Sequence, residues 1–119
     1  MYREVNMENK YADFALLFKA LSDETRLKII DMLSCGELCA CDILKHLNIT
    51  QPTLSYHMKM LSECGMVNAD RQGVWMHYTL NEVTTKSISE FWQLLSSSKE
   101  NCICHSCYEL QENNCKSET

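Results

Sequence analysis

The chain has 119 residues, 11 basic and 16 acidic side chains, a formal charge of −5 and 45% hydrophobic residues. This is one domain's length of ordinary globular composition, which excludes a disordered chain, and no apolar run is long enough for a membrane span. No apolar segment follows Met1, so no signal peptide is expected and the expected compartment is cytoplasmic.

Only Pro52, Gly36, Gly65 and Gly73 punctuate the sequence, so it should be mostly helical. Tyr11, Phe14, Leu17, Phe18 and Leu21 predict a first amphipathic helix. Ser22-Asp23-Glu24-Thr25 supplies a break and a cap. Leu27, Ile30 and Leu33 then predict a second helix ending near Ser34-Cys35-Gly36. A short third helix is expected from about Leu38 to His46, with Ile43, Leu44 and Leu47 facing inward. Asn48-Ile49-Thr50 reads as a tight turn whose Thr50 caps a fourth helix. Pro52 falls in that helix's first turn, where its missing N–H costs little. Leu54, Met58 and Leu61 form its apolar stripe, and Cys64-Gly65 ends it.

From Met66 to Leu80 the period becomes two. Val74, Met76, Tyr78 and Leu80 alternate with Trp75, His77 and Thr79, and Asp70-Arg71-Gln72-Gly73 supplies a turn, so a β-hairpin is predicted. A last helix fits Val83 to about Ser97, with Ile88, Phe91, Trp92 and Leu95 on one side. The fold is therefore expected to be mainly α with a β-hairpin, in the order ααααββα. That is the order of a winged helix-turn-helix, whose central turn must be as short as the one read here. The domain is expected over 7–100, followed by a polar, Cys-rich C-terminal tail over 101–119.

A recognition helix needs polar groups at its N-terminal end and no acids aimed at phosphates. Between Ile43 and Ser62 there are two lysines, two histidines and no carboxylate. Gln51, Thr53, Ser55, Tyr56, His57 and Lys59 are read as lying off the apolar stripe. Gln51 and Thr53 are the first candidates for base edges. Arg71, read at the hairpin tip, would reach a phosphate or the minor groove. The net negative charge means that attraction to double-stranded DNA must be local and strongly salt-sensitive.

Four stretches in register resemble the ArsR/SmtB family of metal-sensing repressors, closest to its arsenical-resistance repressors. Leu21-Ser22-Asp23-Glu24-Thr25-Arg26-Leu27 resembles the opening of the family's second helix. Gln51-Pro52-Thr53-Leu54-Ser55-Tyr56-His57-Met58 resembles its recognition helix, and Gly73-Val74-Trp75-Met76-His77-Tyr78 its wing. Glu37-Leu38-Cys39-Ala40-Cys41-Asp42 resembles its thiol sensing motif. The resemblance runs from about Tyr11 to Glu100. It implies a homodimer, formed through the first and last helices, that binds an operator without any cofactor. It also implies release of the operator when an inducer, here trivalent arsenic or antimony, binds cysteine thiolates.

Eight cysteines in a chain with no export signal point to metal, metalloid or redox chemistry rather than a disulfide framework. Cys39 and Cys41 are the first candidate ligands. On a regular helix, residues two apart point about 200° away from each other. The pair can share one ion only if the helix's first turn is loose or unwinds, so binding should distort the helix that supports the recognition helix. The arsenical repressors usually carry a third cysteine where this chain has Leu44. Cys35, or Cys102, Cys104 and Cys107 of the tail, could complete the set.

The tail's C-x-C-x-x-C could also hold a second metalloid, bind zinc with His105, or form a Cys104–Cys107 disulfide. No cysteine precedes Cys35, as the cadmium/lead branch would need, and no histidine or aspartate lies between Val83 and Lys99, as the zinc branch would need. Soft thiolate sets also select Cd, Pb, Zn and Cu(I), so another soft metal or thiol oxidation is the alternative input. A small thiol redox enzyme is a remote one, because no βαβ scaffold is legible beside a C-x-x-C. Cys64 reads as packing, His46 and His77 as surface or wing residues, and Met58, Met60, Met66 and Met76 as core filler.

Overall fold

Asp23 stands in an extended conformation, and its carboxylate accepts the Arg26 backbone N–H at 3.0 Å, which caps a helix at its first turn. That helix is α2 (Glu24–Leu33), the second of five in a computed structural model that describes residues 10–97. The order is α1 (Lys10–Leu21), α2, β1 (Leu38–Cys39), α3 (Ala40–His46), α4 (Gln51–Glu63), β2 (Val67–Gln72), β3 (Trp75–Leu80) and α5 (Glu82–Ser96). The architecture is mostly helical with a small antiparallel sheet, as in a winged helix-turn-helix.

Four local features differ from the sequence expectation. The buried face of α2 is set by Ile29 and Leu33, four residues apart, while Leu27 is exposed. The third helix begins at Ala40, because Leu38 and Cys39 are extended and pair with β3, Leu38 opposite Tyr78 and Cys39 opposite His77. This places β3 at the centre of a sheet ordered β1-β3-β2 and satisfies backbone groups that β3 would otherwise present as an open edge. The hairpin turn lies at Gly73 and Val74, between the facing residues Gln72 and Trp75. A two-residue turn needs a positive φ at its first position, and Gly73 supplies it at +67°. Asp70, Arg71 and Gln72 therefore extend β2 instead of forming the turn. Lastly, Asn81 accepts the backbone N–H groups of Val83 and Thr84 at 3.0 and 3.2 Å and so caps α5, a cap that the sequence reading did not single out.

The core joins α2, α3, α4 and the sheet. Ile29, Ile43, Leu54, Met58, Leu61 and Val67 are its fully buried side chains, with Leu33, Met66 and Tyr78 beside them. Its effect is to hold α3 and α4 against the base of the hairpin. The chain divides after Ser89 into two units. In the second, described to residue 97, Phe91 is buried while Trp92 and Leu95 are exposed. The boundary expected near residue 100 lies outside the described residues, as do Cys102, Cys104, Cys107 and Cys115. No helix among those described is long and apolar enough to cross a membrane.

Candidate DNA-binding surface and thiol site

Thr50 caps α4: its hydroxyl oxygen accepts the Thr53 N–H at 3.4 Å, and the two hydroxyls lie 3.0 Å apart. With Pro52 in the first turn, α4 starts abruptly after a short connection from α3. Gln51, Thr53, Ser55, Tyr56 and Lys59 are all exposed. Arg71 is exposed on β2, opposite Met76, one residue before the strand ends. The hairpin tip itself is Gly73 and Val74, the latter 83% exposed.

His57 does not join this exposed set. It is only 9% exposed, because it follows Leu54 by three residues and precedes Leu61 by four, which places it on the inner face of α4. Its Nδ1 lies 3.0 Å from Arg26 Nη1 and 3.9 Å from Asp23 Oδ2. Arg26 Nε donates to the Ala20 carbonyl at 2.6 Å. A guanidinium only donates, so Nδ1 is the acceptor in this contact. The Arg26 backbone N–H is the main influence holding the Asp23 carboxyl below its ordinary range. Partial desolvation opposes it, and the Arg26 guanidinium adds to it. This cluster ties the end of α1 and the start of α2 to α4, and so fixes how α4 presents its exposed face.

At the other end of the helix-turn-helix, Cys39 is the extended N-cap of α3 and Cys41 lies in its first turn. Their Cα atoms are 5.3 Å apart and their sulfurs are joined as a disulfide. Cys39 is buried and Cys41 half-buried. The two sulfurs therefore meet with α3 intact: Cys39 is extended and lies outside the helix, so the 200° separation of two helical residues does not apply to it. Asp42 Oδ2 lies 3.3 Å from Cys39 Sγ, within reach of its S–H when the pair is reduced. Cys39, Cys41 and Asp42 offer ligand atoms that all lie within 4.8 Å of one another, the one such group among the described residues. The cysteine pattern of the sequence does not by itself mark Asp42 as a donor.

Cys35 is exposed and free, and stands outside this group. Leu44, where a third cysteine is usual, packs against the core. Cys64 donates to the Leu61 carbonyl at 3.4 Å, and burial pushes its thiol pKa up, which agrees with a packing role. His46 Nδ1 sits 3.0 Å from the Asp42 carbonyl oxygen, and His77 Nδ1 2.9 Å from Glu37 Oε2.

A short-turned helix pair with a polar exposed second helix, followed by a hairpin, defines a winged helix-turn-helix DNA-binding protein. The sequence matches the family described as "Bacterial regulatory protein, arsR family" over residues 23–69. It is 42% identical over 94 residues to an arsenical resistance operon repressor of Staphylococcus aureus, covering 79% of this chain and 90% of that protein. It is also 38% identical over 79 residues to the cadmium resistance transcriptional regulatory protein CadC homolog of the same species, covering 66% and 65%. Among solved structures, HlyU from Vibrio cholerae superposes with a TM-score of 0.63 at 31% identity, covering 75% of this chain and 97% of that one. The chain belongs to the ArsR family and is a winged-helix transcriptional repressor. Its relatives and its fold are those of transcriptional regulators and not of enzymes.

Proposed function

We propose that the protein is a homodimeric, cytoplasmic repressor that holds operator DNA while its thiols are free and releases it when trivalent arsenic or antimony binds Cys39 and Cys41. The observation that carries this reading is the adjoining sulfurs of Cys39 and Cys41, with the Asp42 carboxylate beside them, at the entrance to the helix that precedes α4. Once reduced, the pair offers two soft thiolates, the donor type that trivalent arsenic and antimony prefer. Asp42 offers a third donor locally. Cys35, Cys102, Cys104 and Cys107 are the sulfur alternatives. On the DNA side, Gln51 and Thr53 are assigned to base edges, and Ser55, Tyr56, Lys59 and Arg71 to the backbone. Exposed apolar side chains suited to a dimer contact lie at Leu16 and Val83 in the first unit and, separately, at Trp92 and Leu95 in the second.

Two observations favour a second reading, in which the same thiols respond to another soft cation or to oxidation. One is the likeness to a cadmium resistance regulator, and the other is the Cys39–Cys41 disulfide itself. The test is fluorescence anisotropy of the reduced protein on its own upstream DNA, titrated separately with arsenite, antimonite, Cd2+, Pb2+ and an oxidant. Release by arsenite and antimonite at the lowest concentrations is expected. Release by Cd2+, Pb2+ or oxidant alone would replace the arsenical reading with the second one. The same titration on a chain cut after Glu100 shows whether the tail supplies a sulfur.

A further inference from the structure

Cys39 belongs to two structures at once. It caps α3, and it is also the last residue of β1, paired across the ladder with His77 of the central strand β3. Two residues before it, Glu37 reaches the wing directly. Its Oε2 lies 2.9 Å from His77 Nδ1 on β3 and accepts from Gln72 Nε2, at the end of β2, at 3.3 Å. One carboxylate thus holds both strands of the hairpin, and Gln72 adjoins Arg71. On the α3 side of the junction Ile43 is completely buried and Leu44 packs on the core, and on the β1 side Leu38 packs there too, while Glu37 stands outside it. The exposed contacts of Glu37 are therefore the weaker attachment that a change at the Cys39 sulfur meets on its way to the wing. Pairs as exposed as Glu37 and His77, with side chains 48% and 25% accessible, are readily broken.

We propose that Glu37 is a positioning residue, the clasp through which the chemical state of Cys39 and Cys41 is passed to the wing. The proposal rests on the reading of this thiol pair as the sensor. It differs from that reading in saying where the signal goes: along β1 into β3 and β2, ending beside Arg71, and not by unwinding α3.

The test is amide hydrogen exchange over residues 67–80 in the full chain, with the thiol pair reduced, oxidised, or reduced and treated with arsenite. Wild type is compared with Glu37→Ala, Glu37→Gln and Glu37→Asp, and thiol titration counts the cysteines that arsenite blocks. In wild type the wing amides should shift by about threefold to fivefold between states, the range that an exposed pair can govern. In Glu37→Ala the shift should fall below about twofold, with wing exchange already fast in every state, while arsenite blocks as many thiols as before. Glu37→Asp should restore part of the response, and Glu37→Gln, which keeps an acceptor for Gln72 but loses the charge facing His77, should lie between. A purely structural role for Glu37 would leave the wild-type difference between states intact in Glu37→Ala, and that result overturns the proposal. So does a wild-type wing whose exchange is the same in all three states. If oxidation shifts the wing through Glu37 but arsenite neither blocks thiols nor shifts it, the clasp stands and the arsenical reading falls.

Discussion

Among the described residues there are two histidine–carboxylate clusters, and they are built in opposite ways. Asp23, Arg26 and His57 sit against the core and tie α1 and α2 to α4. Glu37, Gln72 and His77 sit on the surface and tie β1 to the wing. Removing buried His57 leaves the Arg26 guanidinium, itself half-buried, without that acceptor, whereas the exposed Glu37–His77 pair gives way at little cost. The α4 helix is thus tied to α1 and α2, and under the proposal the wing is the part that a small change at Cys39 reaches. A ligand of modest differential affinity can act on such a molecule, because it has only to shift the weaker of the two attachments.

The sharpest way to break the comparison is at the buried His57. His57→Ala should lower unfolding stability by about 1–3 kcal/mol in urea denaturation, since the Arg26 guanidinium loses its acceptor. DNA affinity should fall with it. His77→Ala, by contrast, should leave the urea midpoint nearly unchanged.

Next in size is the cap of α4. Thr50→Ala removes the acceptor for the Thr53 N–H and should destabilise the fold by about 1 kcal/mol in the same assay.

Arg71→Ala probes the wing from the DNA side. Binding should weaken about evenly across operator variants, and the slope of log affinity against log salt should drop by about one.

The smallest effect is one of pH. The Asp23 carboxyl is held below its ordinary pKa, chiefly by the Arg26 backbone N–H. Its contribution to stability is therefore fully present above the ordinary carboxylate range and is lost as pH falls through the lowered folded value. Urea midpoints of wild type and Asp23→Asn should differ near neutrality and converge between about pH 5 and pH 2.

Much of this architecture is legible in the residues because long periodic segments announce themselves. The α4 start is the clearest case: Thr50 as a cap and Pro52 in the first turn are local signals with local causes, and the structure places both as read. What escaped has physical reasons too. β1 is two residues long, too short for any periodicity, and exists only because the distant strand β3 offers it a partner. His57 has the spacing of an inner-face residue in Leu54, His57, Met58 and Leu61, but its polarity suggested an outward role. Its partners, Arg26 and Asp23, are some thirty residues away in the chain. Asp70-Arg71-Gln72-Gly73 has turn composition, yet the positive φ at Gly73 centres the turn on Gly73 and Val74, two residues later. The thiol motif was legible as a motif. Its geometry was not, because the separation of Cys39 and Cys41 depends on Cys39 being extended rather than helical.

The most direct test of the central claim is operator release by arsenite, followed by anisotropy in the reduced wild type, Cys39→Ser and Cys41→Ser. Apo affinity within about twofold of wild type and loss of the arsenite response in both variants are the predicted outcome, since serine keeps the fold but not the soft donor. Release of DNA from either variant at the wild-type arsenite concentration would contradict the claim that this pair is the sensor.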